Sequence, residues 1–248
     1  VEKLPSLEDE RRQAVEKQER DQHLAQAIDA CWQASIPLTN VPAVTQYFSL
    51  RGLSGLPSEV LKDIRALPQG KCLDDNVEKT FPTMVAAVRD KLGRLVTLHR
   101  TFLTVDGHKA PASAPKRISA LPSDRTIVGC AVHLGESRRQ LAVAEGIETA
   151  LSVVKATGLP CWSCLSAHGL ESVAIPEGVD EVFIFADKDR SETGQKAAEV
   201  LRKRLLKQGI FCAVLLPGKE IPESAKGVDW NDVLVTEGSV AFPRIHQD

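Results

Sequence analysis

Five acidic residues, Glu145, Asp187, Asp189, Asp229 and Asp232, have the types and spacing for chemistry. The first two each close a short apolar run. Leu141-Ala142-Val143-Ala144 leads into Glu145-Gly146, and Glu181-Val182-Phe183-Ile184-Phe185-Ala186 leads into Asp187. Asp189 follows two residues later, and Asp229-Trp230-Asn231-Asp232 comes after a last apolar run at 211–216. Clustered oxygen donors with no His or Cys beside them suit Mg²⁺ or Mn²⁺. Mg²⁺ keeps several waters and is held by one or two carboxylates together with substrate phosphates, so phosphoryl transfer is the chemistry implied. On a helical turn Asp229 and Asp232 share a face, and either completes such a site. Plainer readings stand beside this one. A lone Glu at a strand end is commonly just solvated, Asp187-Lys188-Asp189 serves equally to cap the next helix, and Asp229 serves equally as an N-cap. The coincidence of acids at three strand ends favours a site.

Such carboxylates converge only if the strands that carry them run parallel. The runs at 141–144, 161–165, 181–186 and 211–216 are apolar throughout, which marks strands buried on both faces. Between them lie helical patterns at 147–157, stopped by Gly158-Leu159-Pro160, and at 191–208, stopped by Gly209. Strands alternating with helices predict a doubly wound parallel sheet, whose ligands bind beyond the carboxyl ends of the strands.

The upstream part has a different rhythm. Residues 6–35 lack Gly and Pro and predict a long helix, opened by a capping box from Ser6 to Asp9. Its first half is solvated, and Leu24, Ile28 and Trp32 form a docking stripe. Pro37 and Pro42 break it. A short helix at 44–50 ends at Gly52, and a second follows Ser58. Segments 83–89 and 94–104 read as a hairpin around Lys91-Leu92-Gly93. A turn at Val105-Asp106-Gly107, a loop at 111–115 and a further strand at 126–134 follow. The fold class is therefore α/β: a helical linker (1–37), a small α+β subdomain with an antiparallel sheet (38–136), and a mostly parallel α/β domain (137–248).

A formal net charge of -2 excludes a generally basic protein, so any nucleic-acid surface must be local. His99, Arg100, Lys109, Lys116 and Arg117 supply one candidate, for template or triphosphate contact, with a solvated hairpin edge as the alternative. Arg202, Lys203, Arg204 and Lys207 read as the solvated face of a helix. No run of about 18 apolar residues predicts a membrane span. The absence of a basic-then-apolar leader, together with six scattered cysteines, points to a reduced, cytoplasmic setting. Cys161-Trp162-Ser163-Cys164 is a lone CxxC inside a predicted core strand, so its thiols are expected to be buried rather than to bind zinc.

At this point a resemblance becomes specific. Glu145-Gly146-Ile147-Glu148-Thr149-Ala150-Leu151-Ser152 resembles the first motif of the Toprim fold in primases of plasmids, phages and integrative elements. Phe185-Ala186-Asp187-Lys188-Asp189 resembles the family's paired-aspartate motif, and Gly227-Val228-Asp229-Trp230-Asn231-Asp232 its closing acidic segment. Upstream, Tyr47-Phe48-Ser49-Leu50-Arg51-Gly52-Leu53, His99-Arg100-Thr101-Phe102-Leu103, Asp106-Gly107-His108-Lys109-Ala110 and Val132-His133-Leu134-Gly135 are similar to the region that precedes Toprim in these primases. The resemblance spans roughly residues 38–235. It implies a DNA primase catalytic core that makes short primers from nucleoside triphosphates on single-stranded DNA. Glu145 would act in acid/base chemistry, and Asp187 and Asp189, with Asp229 and Asp232, would hold Mg²⁺ or Mn²⁺. Arg100, Lys109, Lys116 and Arg117 would meet template or nucleotide. It also implies a separate replicative helicase and an upstream zinc-binding module, the chain from Val1 being a fragment cut after that module. The rival readings are a Toprim nuclease and a primase-like module that only binds DNA or a partner. A topoisomerase needs a nucleophilic tyrosine, and the single tyrosine, Tyr47, falls within the upstream primase-like segment.

Overall fold

The computed structural model describes residues 7–246. Helix α1 (Leu7–Ala34) is exposed over its first half, and the capping box expected from Ser6 lies outside the described residues. Its second half docks through Ile28, Cys31 and Trp32 onto Val85, Leu98 and Leu67, the predicted stripe with Leu24 left at its margin. After the two-residue strand β1 (Ile36–Pro37), Pro42 opens helix α2 (Pro42–Leu50) instead of merely ending a helix. Pro suits the first helical turn because its missing N–H has no partner there anyway. Gly52, at φ 66°, turns the chain away. The second short helix expected after Ser58 is a series of turns, Val60 N–H to Pro57 O and Leu61 N–H to Ser58 O.

Strands β2 (Ile64–Asp74), β3 (Val77–Arg89), β4 (Leu95–Phe102) and β5 (Lys116–Ile118) join β1 in an antiparallel five-stranded sheet of order β1-β2-β3-β4-β5. The β2–β3 hairpin turns on Asp75 and Asn76, both at positive φ, as a two-residue turn of primed type requires. A bulge interrupts the register between Leu67 and Gly70.

The second sheet has order β11-β9-β7-β8-β6. It comprises β6 (Val132–Leu134), β7 (Gln140–Ala144), β8 (Cys161–Ser163), β9 (Glu181–Phe185) and β11 (Phe211–Leu215). All pairs are parallel except β6 with β8. The strand expected over 126–134 thus shortens to β6, which hydrogen-bonds into this sheet and not the first. The bridge Arg89↔Ala131 joins the two sheets. Helices α3 (Ile147–Thr157) and α6 (Trp230–Glu237) cover one face. α4 (Ala167–Ser172) and α5 (Thr193–Lys207) cover the other. A second small ladder pairs β10 (Lys188–Asp189) with β12 (Gly227–Val228). One apolar cluster runs from α2 and β3 through β6 and β7 to α3 and α6, so both halves share a core.

Cys161 and Cys164 are fully enclosed, and burial pushes both thiols up, the state expected of core cysteines. The basic run on α5 is only partly solvated. Arg202 pairs with Glu199, and Arg204 donates to Val173 O at 2.6 Å. Among the described residues no helix is long and apolar enough to cross a membrane.

Candidate active site: an acidic sheet edge beside a basic cavity

From β7 the chain crosses through α3 to β8 on one side, while β9 lies on the other, so the strand order reverses between β7 and β9. Crevices at such reversals, beyond the carboxyl ends of the strands, are where open sheets bind ligands. Glu145 leaves β7 there, and its register neighbour β9 ends at Phe185, two residues before Asp187. Burial pushes the Glu145 carboxyl up, and the charge of Asp189 adds to the effect. Burial, then the charges of Asp229, Glu145 and Asp189, push Asp187 up to about 7 against one long hydrogen bond from Thr149 Oγ1 at 3.3 Å. Asp229 is raised as well, by burial and by the charges of Asp232 and Glu148.

Asp189 differs. Burial raises it, but the Ser191 hydroxyl and the amides of Gly194 (3.2 Å) and Thr193 (3.3 Å) outweigh that and hold it low. It therefore receives the start of α5 as the simple capping reading expected, while its charge still reaches Glu145 and Asp187. Asp229 and Asp232 form a reciprocal capping box on α6. Asp229 Oδ1 accepts from the Asp232 N–H at 2.7 Å, and Asp232 Oδ2 accepts from the Asp229 N–H at 3.1 Å. Asp232 is exposed and turned to this cap, whereas Asp229 also faces Asp187.

The fit to a divalent cation rests on charge. Four carboxylates repel one another with no Lys or Arg ion-paired to Glu145, Asp187, Asp189 or Asp229 among the described residues, and a small dication relieves that repulsion. Among the described residues no group of three His, Cys, Asp or Glu side chains is already drawn together as a metal cage.

Next to the acids lies a cavity of about 300 Å³ lined by Arg51, Lys109, Lys116, Glu148, Asp229 and Asn231, among others. Register divides the four predicted basic residues. Lys116 pairs with Thr101 on the face of β4 and β5 that looks towards α3. Arg117 pairs with Arg100 on the face that carries α1. Lys116 Nζ binds the buried Glu148 at 2.8 Å, and Glu148 also accepts from the Tyr47 hydroxyl. Lys109 is exposed at the cavity mouth and makes no ion pair among the described residues. Partial desolvation and the nearby charge of Lys116 lower its ammonium. Arg117 is tied instead to Asp74 at 3.2 Å and to the Ala114 carbonyl at 2.8 Å. Arg100 lies 5.4 Å above the Phe102 ring and donates to Lys71 O at 3.2 Å. His99 is buried, with Nδ1 unpartnered, and burial followed by the charge of Lys116 lowers it to about 4.

Sequence reasoning passed over Glu148, Tyr47, Arg51 and Asn231 as site residues. Asn231 donates to Arg51 O (2.9 Å) and Ser152 Oγ (3.0 Å), and so ties α6 to α2 and α3. The available signal was Glu148, the one charged residue in the stretch 147–154 of a helix flanked by core strands; every residue of that stretch is buried.

Comparisons agree with this architecture. A family model described as "Toprim domain" matches residues 140–240, and one described as "Domain of unknown function (DUF7146)" matches residues 22–129. No curated protein sequence matches the chain. Among solved structures, the DnaG primase catalytic domain bound to ssDNA is similar with a TM-score of 0.58 at 17% identity, covering 92% of this chain and 78% of that one. A DNA primase domain from Pseudomonas aeruginosa gives 0.55 at 15%, covering 86% and 75%. The E. coli primase catalytic core gives 0.56 at 17%, covering 87% and 77%. Residues 140–240 are a Toprim domain, set in a chain that has the fold of the DnaG-type primase catalytic core.

Proposed function

We propose that the chain is the catalytic core of a DNA primase, a nucleotidyltransferase that joins nucleoside triphosphates on a single-stranded DNA template. The observation that carries this reading is the adjacency of two opposite charge fields. An acidic edge fit for a divalent cation abuts a cavity whose cations, Arg51, Lys109 and Lys116, fit a triphosphate. Asp187, Asp189 and Asp229 would hold Mg²⁺ or Mn²⁺, with Asp232 completing the cap that orients Asp229. When bound, the cation supplies Lewis-acid activation of the attacking hydroxyl and neutralises charge on the departing pyrophosphate. Glu145, raised by burial, is suited to take the proton of the 3′ hydroxyl.

Lys109 and Lys116 take the nucleotide side. Arg100 and Arg117 lie across the sheet from the cavity, so contact from them is assigned to a template strand running along the outer face. The likeness to a primase domain bound to ssDNA supports single-stranded DNA as the template. A replicative helicase is assigned as a partner and a zinc-binding module as an upstream neighbour of this segment, in a cytoplasmic, mobile-element setting.

The test is product analysis with single-stranded DNA, labelled nucleoside triphosphates and Mn²⁺. Short products complementary to the template support the proposal. Metal-dependent shortening of the template would replace it with a nuclease, and binding without either product would leave a non-catalytic module.

A further inference from the structure

Something other than a metal must hold four mutually repelling carboxylates together when no cation is present. The loop between β11 and β12 contains no regular element, yet it delivers Asp229 to the acidic edge. Lys219 Nζ ties the loop to Thr236 Oγ1 at 2.9 Å, and the loop's backbone carbonyls are held by the two basic residues interleaved with the aspartates. Lys188 Nζ donates to Lys219 O at 2.9 Å. Arg190 Nε donates to Ala225 O at 3.2 Å, and its Nη2 to Pro222 O at 3.1 Å and Ile221 O at 3.5 Å. The Arg190 N–H adds a bond to Lys226 O at 3.0 Å. β10 then pairs with β12 so closely that a Cβ on Gly227 would sit 2.8 Å from Lys188 O. Guanidinium is a rigid fork of five donors, suited to gathering carbonyls that an irregular loop leaves unpaired.

We propose that Arg190 and Lys188 are positioning residues that clasp residues 219–226 and so hold Asp229 against Asp187. The contacts part the two sets: Lys188 and Arg190 reach the carbonyls of Lys219 and Ala225, while Asp187 accepts from Thr149 and Asp189 from the amides of Thr193 and Gly194. Because the cations spend their donors on backbone carbonyls, they fix the acidic edge without neutralising it. Its charge stays available to a divalent ion. An Arg or Lys paired directly with these aspartates would compete with that ion. This inference rests on the reading of Asp229 as part of the cation site.

The test uses the full chain with Arg190→Gln, and Lys188→Met as an independent second variant. Two quantities are read: hydrogen exchange over residues 219–232, and Mn²⁺ affinity from the spectroscopic signal of the bound ion. Expected are lost protection confined to that segment and Mn²⁺ binding weakened about 10–100-fold, as for other outer-shell partners of a metal site. Adding Asp229→Asn to Arg190→Gln should weaken binding little further, since both act through one carboxylate. Unchanged protection in both variants overturns the clasp, and so do Mn²⁺ losses that multiply in the double variant. If the parent chain binds no Mn²⁺, the metal reading fails, while hydrogen exchange still decides whether the clasp exists.

Discussion

Replacing Lys116 by Met removes the counter-charge of a buried carboxylate, and the cost follows from the geometry. Glu148 is 7% exposed, bonded to Lys116 at 2.8 Å and to the Tyr47 hydroxyl. Burial alone would raise it. The Lys116 charge and hydrogen bond, with the Tyr47 bond, overcome that and hold it at about 2, against 4.5 for a free glutamate. At about 1.4 kcal/mol per tenfold change in proton affinity, this corresponds to about 3 kcal/mol of stability. A depressed carboxylate contributes fully above its unfolded value and loses that contribution as the pH falls from 4.5 towards 2. In Lys116→Met the sign reverses. Burial then dominates, Glu148 rises above its unfolded value, and the charged form is penalised above pH 4.5. The variant is therefore expected to unfold about 3–5 kcal/mol more easily at neutral pH, the cost of stranding one partner of a buried pair. The deficit should shrink on acidification towards pH 5. Urea unfolding at the two pH values measures both effects. Adding Glu148→Gln should recover part of the loss. A deficit below about 1 kcal/mol that does not change with pH would refute the reasoning, because the charge would then not be desolvated.

Asp187→Asn should stabilise the metal-free chain at pH 8 by roughly 1–3 kcal/mol and do little at pH 4. Its folded value of about 7 lies above the unfolded 3.8, so ionisation opposes folding as the pH rises between them, which urea titrations at both pH values would detect. Lys109→Gln should weaken nucleoside triphosphate binding about tenfold by calorimetry, with a thermal midpoint within a few degrees of the parent. Its ammonium faces the cavity and loses no ion pair described here. Arg117→Met should instead lower stability by only about 1 kcal/mol in urea, through the lost hydrogen bonds to the Ala114 and Leu73 carbonyls, because Asp74 keeps Lys79 at 2.9 Å and its bonds from Ser113. Cys161 and Cys164 should resist a thiol reagent until the chain unfolds, and rapid labelling of either in the native chain would contradict their burial.

The parallel half of the fold was legible because its strands are apolar on both faces and its helices carry plain stop signals. The pattern predicted over 147–157 is α3 to the residue, and β7, β9 and β11 lie where the apolar runs stand. The β2–β3 hairpin escaped notice because Pro68 and Gly70 interrupt β2 at its bulge, and a Cβ on Gly70 would collide with the Thr83 side chain. β6 was legible as a strand but not as a member of the second sheet, since pairing partners far apart in sequence leave no local trace. Spacing brought Glu145, Asp187 and Asp189 to one edge on paper. It could not tell Lys116 from Arg117, adjacent residues that a pleated strand sends to opposite faces. Nor could it reveal that Glu148 would draw Lys116 inward.

The central claim is that the acidic edge performs metal-dependent nucleotidyl transfer. Its most direct measurement is single-turnover addition of one nucleotide to a primer annealed on single-stranded DNA, with Mn²⁺ and saturating triphosphate. The parent chain is compared with Asp187→Asn, after binding and folding have been verified. Addition by the parent is expected, with a rate at least about a hundredfold lower in the variant, because Asp187 would hold the activating cation. Equal rates in both chains would contradict it.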